Sequence, residues 1–235
     1  MAKRGEIRGR KGRARSTTKR PIRFRRYDQI FLIVCEDENT EPSYFRRFLE
    51  LVPEETLYLE CIGTGKDPLG VVESTIEESK RLSAKAKKEV DFVWAVFDKD
   101  DADLNDTRIR RFQAAFALSK EHSINLAYSN EAFELWLLLH FTEIDPTVPR
   151  PRQELYSLLE LEIRKLDSTF EYIHGDLSVL ERVYALGDEE AAIDRAAVLN
   201  NYFEGIDPIQ ANPSTWVSKL IKELNDWVKY YNWEE

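Results

Sequence analysis

Residues 30–36, Ile-Phe-Leu-Ile-Val-Cys-Glu, and residues 92–101, Phe-Val-Trp-Ala-Val-Phe-Asp-Lys-Asp-Asp, decide how this chain is read. Each begins as a continuous apolar run rich in β-branched or aromatic residues and ends abruptly in acid. A run without polar alternation fits a strand buried on both faces, as in a parallel sheet. Between the two runs, Leu57 to Ile62 is another strand candidate, and Ile124 to Tyr128 follows as a short fourth. Helical spacing separates them. Thr40 looks like an N-cap with Glu41 and Pro42 in the first turn, and Phe45, Phe48, Leu49 and Val52 supply an apolar face. Leu69, Val72 and Ile76 mark the next helix, and Ile109 to Leu118 a third. Glu131 to Phe141 reads as an almost wholly apolar, buried helix. Strand and helix thus alternate four times, which predicts an α/β fold with a mostly parallel sheet flanked by helices.

Beyond Phe141 the pattern is helical: Glu154 to Leu166, Leu177 to Leu186, Glu189 to Phe203 and Thr215 to Val228. Asn212 and Ser214 read as caps of the last helix. The Pro-rich stretch Asp145–Arg152 is the expected seam. The expected organisation is a basic arm over 1–26, an α/β core over 27–145, and a C-terminal helical extension over 146–235 packed on that core.

The chain of 235 residues carries a net charge of −9, with 43% hydrophobic residues. That apolar content excludes general disorder. No apolar run is long enough to span a bilayer, and the first residues lack the apolar segment of a secretory signal. Cys35 and Cys61 lack metal-ligand spacing, and a reducing, cytoplasmic setting is the simpler expectation. The charge is divided sharply: residues 1–26 hold twelve Lys/Arg and one acid, for +11, leaving −20 on the remainder. An arginine-rich arm on an acidic body points to an anionic partner, with Arg13, Arg15, Lys19, Arg20, Arg23, Arg25 and Arg26 as candidate nucleic-acid contacts. A solvated tail is the plainer alternative. No membrane partner is expected, and nothing in the sequence assigns an oligomeric state.

In open α/β sheets, ligands bind outside the carboxyl ends of the strands. Glu36 follows the first strand directly, and Asp98 and Asp100 follow the third. Alternate residues of an extended segment point to one side, so Asp98 and Asp100 can face one cation together, with Lys99 turned away. Glu36 joins them if strands one and three are neighbours. Three carboxylates without histidine or cysteine form a hard oxygen site, suited to Mg²⁺ or Mn²⁺ and hence to phosphodiester chemistry. The competing reading makes these acids ordinary turn residues.

A hydrophobic strand ending in Glu, followed downstream by a strand ending in D-x-D, resembles the TOPRIM pattern. Ile33-Val34-Cys35-Glu36 with Thr40-Glu41-Pro42 and Tyr44-Phe45 resembles more specifically the opening motif of the RloB-like proteins of bacterial anti-phage loci. Phe97-Asp98-Lys99-Asp100-Asp101, Ser129-Asn130 with Phe133 to Phe141, and Asn212-Pro213-Ser214-Thr215 resemble the motifs that follow. The resemblance implies a TOPRIM-like core and a Mg²⁺-dependent (or Mn²⁺-dependent) nuclease acting on RNA, by analogy tRNA, or DNA in abortive infection. It also implies an ABC-type ATPase partner encoded nearby. Glu36, Asp98 and Asp100 would then be catalytic, Asp101 or Glu134 would add to the metal ligands, and Glu36 would serve as base or as ligand. Asp37 stands where the family pattern commonly has glycine. That departure motivates one alternative, a non-catalytic interaction or sensor subunit with a degenerate metal site. Nucleotidyl transfer, which the same acids can support, is another.

Three supporting residues have double readings. Glu41 either binds metal or stabilises its helix N-terminus. Glu134, early in an apolar helix, needs a cation or donor nearby. Lys66, in the turn Gly63–Pro68, either meets phosphate or serves the turn. His140 reads first as a core histidine with a satisfied hydrogen bond.

Overall fold

The structure is a computed structural model, and it describes residues 27–233. The arm over 1–26, with its seven candidate contacts, lies outside the described residues. The element order is β1 (Gln29–Cys35), α1 (Thr40–Arg46), β2 (Leu57–Gly63), α2 (Pro68–Ala86), β3 (Phe92–Asp98), α3 (Asp106–Glu121) and β4 (Asn125–Asn130). There follow α4 (Glu134–Leu139), α5 (Arg152–Arg164), α6 (Ser178–Leu186), α7 (Glu189–Tyr202), β5 (Ser214–Thr215) and α8 (Val217–Tyr231). The five strands form one sheet in the order β2-β1-β3-β4-β5. Every pairing is parallel except β4 with β5. This is an α/β architecture consistent with a TOPRIM-like core.

The two faces of the sheet bury separate cores, because successive side chains of each strand point to opposite sides. Ile30, Leu32 and Val34 of β1 pack with Ala95 and Phe97 of β3 under α2 and α3. Phe31, Ile33 and Cys35 face the other way, with Trp94 and Val96, against α1 and the helices α4 to α8. The helical extension is therefore built into one face of the sheet. Trp136 and Leu135 of α4 are fully buried there. Cys35 and Cys61 are buried and free. Among the described residues no helix is long and apolar enough to cross a membrane.

Several elements depart from the sequence expectation. Asn212 and Ser214 do not cap α8, whose N-cap is Trp216. Ser214 and Thr215 instead form the edge strand β5, and the Asn212 amide bonds Glu131 at 3.0 Å and the Arg150 carbonyl at 3.4 Å. The apolar segment after β4 forms a regular helix only over α4. Leu49 lies on a 3-10 turn (Arg47–Glu50) after α1 and is exposed rather than inward. Trp216 stacks on Tyr128 and Trp227 packs on Phe92, whereas Trp233 is 79% exposed.

Gly63, placed in a turn by its sequence, is the last residue of β2. A Cβ there would sit 2.4 Å from Glu38 Cα and 2.5 Å from Asp37 O, inside the backbone of the β1–α1 loop. Backbone cannot rotate aside as a side chain can, so Gly63→Ala must push that loop outward. We expect it to cost about 1–3 kcal/mol in a urea titration, as overpacking does. An unchanged midpoint would mean the loop is not held against β2.

Candidate metal centre

Glu36 continues β1 by donating its N–H to Val96 O at 2.9 Å, which fixes it beside the end of β3. Two positions on in register, Asp98 donates its N–H to Glu36 Oε2 at 3.0 Å. The two residues that terminate the apolar runs are thus bound across the β1–β3 boundary. Glu41, in the first turn of α1, and Glu134, at the start of α4, approach from the helical layer. All four line one cavity of about 180 Å³, together with Asp37, Asp100 and Phe133. Arg152, Tyr156 and His174 of the extension close its far wall.

The electrostatics are those of crowded, dry carboxylates. Burial raises the Asp98 carboxyl well above the usual range, and the negative charges of Glu41, Glu36 and Glu134 raise it further. Burial likewise lifts Glu41, with Glu36 adding to the shift. Glu36 is pushed up to about 7, chiefly by burial, against the lowering effect of the Asp98 N–H. Losing water disfavours each charged form, and like charges compound the cost. Such a site costs the fold unless the carboxyls take up protons or a cation shares it.

Among the described residues no group of three or more His, Cys, Asp or Glu side chains is arranged as a ready metal cage. The acids are drawn to donors of the protein itself. Glu41 Oε2 accepts the Asp37 N–H at 3.1 Å, Glu134 Oε1 accepts the Tyr172 hydroxyl, and Asp100 pairs with Arg152. The Asp98 carboxyl is drawn to the Phe133 N–H, yet its Oδ1 is buried with no hydrogen-bond partner. A buried carboxylate oxygen without a partner, in a pocket where five other carboxylates line the wall, fits a hard divalent cation. The residues that would hold it are Asp98 and Glu36, with Glu41 and Glu134 in reach of the same cavity.

The other candidate residues fall at the margin. β3 ends at Asp98, and Asp100 takes a left-handed φ of 49°, so strict alternation stops between them. Asp100 still borders the cavity. Asp101 does not: it is exposed, 3.8 Å from Arg108, and faces a second cavity of about 580 Å³. Lys66 lines that second cavity, which Glu36 and Asp100 also border, and donates to Ser74 Oγ at 2.7 Å. Lys99 is held by bonds to Asp103 at 2.9 Å and Glu131 at 2.7 Å and does not line the acidic cavity. Asp37 accepts the N–H groups of Asn39 and Thr40, so it ties down the entry to α1 and adopts no left-handed φ that would call for glycine.

Sequence reasoning missed the wall from the extension. Arg152 and Tyr156 lie four apart on α5, hence on one helix face, but nothing local in their spacing points to the sheet.

His140 is a core residue, 4% exposed, with Nδ1 on Trp136 O at 3.0 Å and Nε2 3.3 Å from the Tyr44 hydroxyl. Burial and the Arg47 charge lower its pKa to about 4, against smaller raising effects of the Trp136 carbonyl and Asp188. The unfolded chain therefore takes up a proton first, and stability falls as pH drops from about 6.5 towards 4. Between pH 7.5 and 5 this residue alone should remove about 2 kcal/mol. The raised carboxylates act in the opposite sense, so the comparison is made with His140→Gln. Its stability should fall less steeply over that interval in urea titrations, and an identical slope would contradict a buried neutral imidazole.

Comparison with curated proteins and with solved structures gives no match. A family model described as RloB-like protein matches residues 31–224, a span that takes in every described element bearing on the cavity. By that match over most of its length, this chain belongs to the RloB-like family.

Proposed function

We propose that the chain is a Mg²⁺- or Mn²⁺-dependent nuclease, acting as an effector in anti-phage defence alongside an ABC-type ATPase. One observation carries the chemical part: the buried, unpartnered Asp98 Oδ1 beside Glu36, at the carboxyl ends of two adjacent parallel strands. A divalent ion bound there would polarise a scissile phosphate and acidify a bound water. Asp98 and Glu36 would hold the site, and Glu41 and Glu134 would set its negative field. Glu36 would serve either as a ligand of the ion or as the base that takes a proton from the attacking water. The setting in defence and the ATPase partner rest on the family resemblance alone.

The absence of a ready cage and the Arg152–Asp100 ion pair favour a second reading, a sensor or interaction subunit with a degenerate site. Labelled RNA and DNA incubated with the full chain, Mg²⁺ and nucleoside triphosphates separate the readings. A nuclease yields only shorter products, lost on chelation and in Asp98→Ala. Longer products would mean nucleotidyl transfer. Intact substrate, together with no saturable Mn²⁺ heat in calorimetry, would support the sensor reading.

A further inference from the structure

The far wall of the acidic cavity continues into a third depression, of about 460 Å³, through three shared residues: Arg152, Tyr156 and His174. Tyr156 stacks on His174 with centroids 5.4 Å apart and planes 26° apart, and lies 5.0 Å from Tyr172 at 31°. The Tyr172 hydroxyl anchors this group by bonding Glu134, and sits 3.4 Å from His174 Nδ1. A purely structural aromatic cluster would hide its rings. Here the His174 side chain is 71% exposed, at the rim of the acidic cavity. Arg152 is the one Lys or Arg among the described residues lining that cavity, and its guanidinium is shared between the half-exposed Asp100 and the Tyr156 hydroxyl beside it.

These features match what single-stranded nucleic acid needs beside a cleavage site. A ring face takes an unstacked base of any identity. An arginine takes the adjacent phosphate, its planar fork matching two oxygens. The acidic cavity would otherwise repel the strand, so a cation on its wall is required wherever the backbone enters. We propose that Arg152, Tyr156 and His174 form a nucleotide-binding ledge that stacks one unpaired base and holds its phosphate next to the metal centre. This rests on the nuclease reading for its position but not for its measurement. It makes the substrate class a single strand or loop rather than continuous duplex, in which bases are not available to a protein ring.

The test is binding of the full chain, in Mg²⁺, to phosphorothioate single strands of RNA and DNA that contain 2-aminopurine. Stacking should quench the fluorophore on binding. His174→Ala and Tyr156→Leu should each weaken binding about tenfold and remove the quench. His174→Phe, which keeps a ring face without the imidazole, should restore both, and melting curves check that each variant folds. Equal affinity for an abasic strand, or wild-type quenching in His174→Ala, would overturn the ledge. Cleavage of unmodified strands, assayed in parallel, that persists alongside either result would leave the nuclease reading standing. Ring-dependent quenching with no cleavage of the unmodified strands would keep the ledge and remove the nuclease.

Discussion

Asp98→Asn is expected to raise the melting temperature of the metal-free protein while abolishing saturable Mn²⁺ binding and any cleavage. The two effects have one cause. Asp98 is held among Glu36, Glu41 and Glu134 in a cavity that strips its water, so its charge is a cost to the fold. Its carboxyl is raised above its unfolded value, and the penalty is therefore present at neutral pH and relieved as the pH falls. Asparagine keeps the shape and an acceptor oxygen without the charge. Relief of one buried like-charge contact is on the order of 1–3 kcal/mol, or roughly 2–10 °C in a chain of this size. Loss of a principal metal ligand should lower cleavage by about 100-fold or more. Stability gained where activity is lost is the signature of a site kept for function. Scanning calorimetry of both proteins in chelator is the check. A lower melting temperature for Asp98→Asn would mean that the carboxylate supports the fold and the acids are structural.

The second large effect lies at the joint between the α/β layer and the extension. Arg47 sits 4.5 Å from the Tyr44 ring, 4.8 Å from Phe48 and 4.9 Å from Tyr184. It also donates to the Tyr44 hydroxyl at 3.0 Å and pairs with Glu189 of α7. Helix α1, the 3-10 turn after it, and α6 and α7 of the extension thus meet on one half-buried guanidinium. Arg47→Ala removes the ring contacts and the packed stem and leaves Glu189 without its cation. We expect a loss of about 2–4 kcal/mol in urea denaturation. Glu189→Gln alone should cost less, and the double variant should cost less than the two singles added, because the pair is coupled. Additive losses would show that the ion pair contributes nothing beyond the rings. The transition should remain single for every variant, since α1 and α4–α8 share one core. Two separate transitions would make the extension an independent unit.

How far the sequence alone reaches follows from which contacts are local. β1 and β3 are legible because burial on both faces leaves an unbroken apolar run, and their acids are legible because each run stops in one. Their adjacency is not encoded in either segment, yet the order β2-β1-β3-β4 delivers it. β5 is invisible because two residues carry no period, and the pairing with β4 is antiparallel and distant in sequence. Asp101 was drawn into the metal set by proximity in sequence, but the left-handed Asp100 redirects the chain and leaves Asp101 with Arg108. Glu41 and Glu134 are legible only as unexplained charges, the first in a helix start and the second in an apolar helix. Arg152, Tyr156 and His174 give no signal at all, since their role depends on a long return of the extension to the sheet edge.

The most direct test is a crystal structure of the full chain grown with Mn²⁺ and measured at the manganese absorption edge. The account predicts one anomalous peak in the acidic cavity, bonded to carboxylate oxygens of both Glu36 and Asp98. A cavity without manganese at saturating concentration, or a peak touching neither residue, would contradict it.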